Sequence, residues 1–131
     1  MKSIPPILVD HILPFNWDVR KVWQLSADVI DEQVEPFLYL MDLPLWSDVP
    51  YSGMLFNISP SEVLNNPKRS PHQMNRVLSA DTLYPLDFLT MNSKLWILDG
   101  VHRLAKLVMQ GDDNLSIRVH DENINLLIES I

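Results

Sequence analysis

The sequence predicts a mixed α/β (α+β) domain, a small mixed sheet with flanking helices, and three observations carry that prediction. Leu95, Trp96, Ile97 and Leu98 form an apolar run of strand length that Asp99 and Gly100 break. From Val101 the period changes. Val101, Leu104, Ala105 and Val108 recur at i, i+3, i+4 and i+7, one face of a helix, and Leu115 to Val119 then reads as another strand. Two helix-start signatures, Ser59-Pro60-Ser61-Glu62 and Ser70-Pro71-His72-Gln73, set proline at the first helical position and Glu or Gln at the third, as in a capping box.

The chain divides into an N-terminal segment, 1–53, expected to pack as a cap on the same core, and a module over 54–131. In the first, Ile7 to Val9 with Ile12 and Leu13 reads as an extended edge segment between prolines. Asn16 or Asp18 caps a short helix through Leu25, with Val19, Val22 and Trp23 on one face. Asp28 to Glu35 carries four acids and reads as a solvated surface; a carboxylate metal site there has no ligand spacing behind it. Pro36 opens a helix through Met41. Trp17, Trp23 and Trp46 are expected to be packing residues, since large aromatics carry much of the buried area.

In the second segment Met54 to Ile58 is a strand candidate. The two capped helices run to about Asn65 and Ser79, with the basic loop Asn66 to Arg69 between them. Leu83 to Met91 and the strand from Lys94 form a hairpin about Asn92-Ser93. Leu86, Phe88 and Thr90 face one way; Asp87, Leu89 and Met91 face the other. The helix from Val101 closes at Gly111, where a left-handed helix end favours glycine. Ile124 to Ile131 is apolar enough to pack back as a short helix or strand.

Composition bounds the function. The 131 residues suit one domain, and 47% hydrophobic content suits a packed core. A net charge of -7 opposes non-specific binding to a polyanion, so a nucleic acid is disfavoured as partner. Cysteine is absent, which removes disulfides and thiolate metal sites. No apolar run reaches the ~20 residues of a membrane span. The N-terminus has no signal-peptide core, so a soluble cytoplasmic protein is expected.

The strand–glycine–helix unit is where chemistry concentrates. The first turn of a helix has amides without intrahelical partners and partial positive charge. Gly100 would let the backbone approach a ligand, Arg103 would fork onto phosphate or carboxylate oxygens, and His102 would add a donor that titrates near neutrality. With the Val101 N–H these make an anion cradle. The competing reading is structural: Asp99 caps the helix, Gly100 eases the turn, and His102 and Arg103 are solvated.

The segment Leu98 to Leu104, with Asp99-Gly100-Val101-His102-Arg103 at its centre and Gly111 closing the helix, resembles the phosphate-binding segment of the ParB/sulfiredoxin superfamily. Ile58 to Val63 is similar to that family's early strand-to-helix entry, and Tyr84 to Leu86 to the start of its central hairpin, so the resemblance covers about residues 54 to 119. The departures are specific. Sulfiredoxin-like members have cysteine where this chain has Val101, which excludes their reductase chemistry. The free-serine kinases of the superfamily have His at that place. Twelve residues follow Val119, so the helix-turn-helix domain of the partition proteins is not expected.

What the resemblance implies is a protein that binds a nucleotide or small phosphorylated molecule at Gly100 to Arg103. ATP, ADP or CTP with Mg²⁺ is the expected cofactor. Lys68 and Arg69 reach the same anion or form an exposed basic loop; Glu62 is a capping residue or a Mg²⁺ ligand. Asp99 and His102 are the candidate catalytic residues if the chain is a phosphotransferase or hydrolase. Asp99 beside an anion implies Mg²⁺ or a ligand hydroxyl between them. The alternatives are a non-catalytic module that binds a protein partner and a ParB-like nuclease, which the acidic balance disfavours.

Overall fold

A computed structural model of the chain describes residues 4–50 and 55–130. Its strands are β1 (Ile30–Gln33), β2 (Leu86–Met91), β3 (Lys94–Asp99) and β4 (Asn114–Asp121); its α-helices are α1 (Val19–Trp23), α2 (Pro60–Asn65), α3 (Pro71–Ser79), α4 (Val101–Gln110) and α5 (Asn125–Ile128). The sheet runs in the order β1-β4-β2-β3, parallel only between β4 and β2. The protein is therefore a mixed α/β fold of the α+β kind. No helix among the described residues is long and apolar enough to cross a membrane.

Alternation along the central strands separates two cores. Leu86, Phe88 and Ile97 meet Val63 of α2, Val77 of α3 and Leu104 of α4 on one face. Leu89, Trp96 and Leu98 meet Leu13, Val22 of α1 and Ile128 of α5 on the other. Both faces being covered, β2 is buried from Leu86 to Leu89 without alternating in exposure.

The β2–β3 hairpin turns at Asn92 (φ 56°) and Ser93 (φ 61°), both left-handed, the twist a two-residue hairpin requires. At its other end the register steps from Asp87↔Asp99 to Phe88↔Ile97, so Leu98 is the extra residue of a bulge. The Leu98 carbonyl receives Trp17 Nε1 at 2.9 Å. The bulge bends the end of β3 just before Gly100, where α4 begins.

Several expectations for the N-terminal segment are corrected. Ile7 to Val9 is not extended: Pro6–Leu8 is a 3-10 turn that buries Leu8. The Asp28 to Glu35 stretch contributes β1, an edge strand whose four residues are all exposed, so it is solvated and yet part of the sheet. The Pro36 helix is a 3-10 helix over Glu35–Asp42. Asp18 caps α1 by accepting from the Arg20 amide, but Trp23 on that helix is 54% exposed. Side chains of residues 4–50 enter both cores, and the His11 carbonyl accepts from the Ile97 amide on the outer edge of β3.

In the second segment Met54 lies outside the described residues, and Ile58 forms a single bridge with Trp46 rather than a strand. The capping box at Ser59 is complete: Ser59 Oγ accepts from the Glu62 amide at 3.2 Å, and Glu62 Oε1 from the Ser59 amide at 3.0 Å. Ser59→Ala is expected to cost about 1 kcal/mol, read as a lower urea midpoint at unchanged m-value. The Ser70 box does not form; Ser70 Oγ donates to the Asp48 carbonyl at 2.8 Å instead, which frees Gln73 for another role.

Candidate functional site

Asp99 is not the cap of α4. The cap is Gly100, in the left-handed region at φ 114° and without a side-chain hydrogen bond. A Cβ on Gly100 would stand 2.9 Å from Leu86 Cγ and 3.0 Å from Leu86 Cα. Glycine is thus required by the close approach of β2. The first bond of α4 is Leu104 N–H to the Gly100 carbonyl, so the amides of Val101, His102 and Arg103 precede the intrahelical ladder.

Arg103 does not face outward as an anion fork. Its Nη1 donates to the Pro85 carbonyl at 3.0 Å and its Nη2 to Asp99 Oδ2 at 3.2 Å, with both side chains mostly buried. Trp23 Nε1 donates to the same Asp99 oxygen at 2.7 Å. The helix mouth thus holds an internal ion pair that neutralises the arginine expected to bind phosphate. Asp99 is correspondingly occupied as an acceptor.

His102 is not the expected titrating donor. Its ring lies flat on Trp46, centroids 4.1 Å apart and planes 8° from parallel. Its Nε2 lies 2.7 Å from Gln73 Oε1, and Gln73 Nε2 donates to the Ser47 carbonyl at 2.9 Å. Burial, and then the charges of Arg76, His72 and Arg103, push its pKa down to about 3. The imidazole is neutral at physiological pH and adds no positive charge.

This shift has a stability consequence. Between pH 3 and 6.5 the unfolded imidazole holds more protons than the folded one, so stability rises with pH. The contribution is whole above about pH 6.5 and is lost as pH falls toward 3, with a limiting slope of about 1.4 kcal/mol per unit. Urea midpoints at pH 7 and pH 5 are expected to converge in His102→Gln relative to the parent; an unchanged gap would show a solvated imidazole.

The remaining expected site residues lie apart. Gly100, Val101 and His102 line a cleft of about 470 Å³ that Asp99 also borders. Lys68 and Arg69 do not line it, and Arg69 pairs with Asp48 at 3.8 Å. Glu62 does not line it either and is held by the capping box. Glu62 therefore does not share the cleft with Asp99, and among the described residues no group of three His, Cys, Asp or Glu side chains is placed to hold a metal ion.

Two side chains that the sequence reading left out of the site do line it. Arg76, on α3, borders both this cleft and an adjoining hollow of about 230 Å³ that includes Gly100, His102 and Arg103. It is exposed and pairs with no carboxylate among the described residues. His72 is half-buried on the same wall with Nδ1 3.2 Å from Ser70 Oγ. The signal available in the sequence was spacing: Gln73 and Arg76, three apart, lie on one face of a helix.

No protein-family model, no curated protein and no solved structure matches the chain.

Proposed function

We propose that the chain is a ParB/sulfiredoxin-like domain that binds a nucleotide or another phosphate-bearing small molecule in the cleft at the start of α4. The carrying observation is that the uncapped amides of α4 and the unmatched guanidinium of Arg76 border the same cleft. Amides at a helix start and a nearby arginine are a recurrent anion-binding set. Trp46 supplies an aromatic wall. The order β3, Gly100, α4, Gly111, β4 is the order the superfamily resemblance implies. Mg²⁺ would enter with the phosphates, since the described residues build no cage of three ligands for it.

The test is a thermal-shift panel of ATP, ADP and CTP with and without Mg²⁺. A nucleotide at a hundred times its Kd stabilises by about 2.7 kcal/mol. Arg76→Ala is expected to remove most of that gain while leaving the unliganded Tm nearly unchanged. Arg103→Ala is expected to do the reverse, lowering the unliganded Tm because the Pro85 carbonyl loses its donor and Asp99 loses its counter-charge, keeping only the Trp23 N–H. A panel with no shift defeats the proposal.

A second reading, a protein-interaction module, draws on one observation. Trp23, Tyr84 and Leu83 are largely exposed, and the first two line a hollow of about 620 Å³ that Arg103 also borders. If that reading holds, replacing Trp23 and Tyr84 by Ser cuts partner binding while nucleotides remain without effect.

A further inference from the structure

We propose that the cleft selects a ligand carrying an N–H or O–H donor that pairs with Nδ1 of His102, so that it takes a phosphate ester with a polar organic part in preference to inorganic polyphosphate. This deepens the phosphate-ester reading and rests on it.

The inference follows from the direction of a hydrogen-bond chain. The Ser47 carbonyl can only accept, so the Gln73 atom 2.9 Å from it is the amide nitrogen. Gln73 therefore presents its carbonyl oxygen to His102 at 2.7 Å. That oxygen also only accepts, so Nε2 of His102 carries the hydrogen. A neutral imidazole has one N–H, which leaves Nδ1 as a bare lone pair.

The lock is well supported. Gln73 is 4% exposed, and the His102 ring is held flat against Trp46. Arg76 and His72 on α3 and Arg103 on α4 all oppose protonation of the ring; Asp99, the carboxylate that borders the same cleft and hollow, is paired with Arg103. Among the described residues no donor reaches Nδ1, while His102 borders both the cleft and the adjoining hollow.

A phosphate oxygen is an acceptor, and against a bare Nδ1 it meets lone-pair repulsion. The anion thus belongs at the amides of α4 and at Arg76, and Nδ1 is left for a hydroxyl or amine elsewhere on the ligand. An unmade bond at a partly buried acceptor is costly, so a site built this way rejects a ligand lacking the donor.

Two measurements test this. In protein labelled with ¹⁵N-histidine, long-range ¹H–¹⁵N spectra are expected to show His102 as the Nε2–H tautomer, unchanged from pH 7.5 to 5, with Gln73→Leu releasing it. An Nδ1–H tautomer, or titration near 6.5, overturns the proposal whatever binds. In a thermal-shift comparison at equal Mg²⁺, ATP and CTP are expected to bind about tenfold tighter than inorganic tripolyphosphate. His102→Gln, which keeps a polar group toward Gln73 and lacks the Nδ1 acceptor, is expected to make the probes equal; His102→Asn, whose Oδ1 can stand near the Nδ1 position, is expected to restore part of the difference. Equal binding in the parent protein refutes donor selection and leaves the phosphate reading standing. Silence from every probe removes the phosphate reading and this inference together.

Discussion

Asp87→Ala is expected to lower stability by about 3–5 kcal/mol, because it breaks a buried ion pair from one side only. Asp87 is 2% exposed, and its Oδ1 accepts from Arg118 Nε at 2.7 Å and from His120 Nε2 at 2.9 Å. The parallel pairing of β2 with β4 sets Asp87 opposite Arg118, with His120 two residues farther along. Arg118 spends its other donors on the Leu25 and Val22 carbonyls at 2.8 and 3.2 Å. The carboxylate thus anchors an arginine that ties the end of α1 to the sheet. Truncation leaves a mostly buried guanidinium without its counter-charge and a buried imidazole N–H without its acceptor. At roughly 3 °C per kcal/mol for a chain of this size the Tm should fall by about 9–15 °C. Asp87→Asn keeps the shape and one acceptor oxygen, so its loss should be smaller. A loss under about 1 kcal/mol for the alanine variant would mean that water replaces the carboxylate.

Gly100→Ala is expected to cost about 3 kcal/mol or more, with Gly111→Ala as the internal control. Both glycines are left-handed, at φ 114° and 75°. At Gly111 nothing lies within 4 Å of the place a methyl group would take, so alanine there meets only the backbone penalty of about 1–2 kcal/mol. At Gly100 the φ is farther from any L-residue minimum, and the methyl would press on the Leu86 backbone as well as its side chain. Overlap with backbone is not relieved by a rotamer change. The two variants should therefore differ by about 2 kcal/mol in chemical denaturation; equal losses would show that β2 yields readily at Leu86.

The same two sites mark the limit of what local sequence can reveal. Gly100 and Gly111 bracket α4 as the sequence indicated, because caps and turns are decided by residues within one helical turn of one another. The Ser59 box formed for the same reason. The Ser70 box had equal local credentials and did not form, since the Asp48 carbonyl took the serine hydroxyl and the Ser47 carbonyl took the Gln73 amide. β1 was illegible: an edge strand with four exposed residues has no apolar face to reveal it, and only pairing with β4 makes it a strand.

The candidate site divides in the same way. That a strand hands over to a helix at Gly100, bringing Asp99, His102 and Arg103 to one place, was legible. Which of these charges is spent inside the protein was not. Arg103 and Asp99 neutralise each other, His102 is held neutral by burial against Trp46, and the cation left over comes from Arg76 on a different helix.

Local sequence by itself determined where α2, α3 and α4 start and stop, the hairpin and its turn, and the order β3, α4, β4, because dihedral preference, capping and hydrophobic period act over a few residues. Tertiary structure alone decided the joining of β1 to β4, the parallel seating of Asp87 beside Arg118 and His120, and the charge left at the mouth of α4. Desolvation and ion pairing depend on which distant side chains arrive, and no spacing within a single segment encodes that.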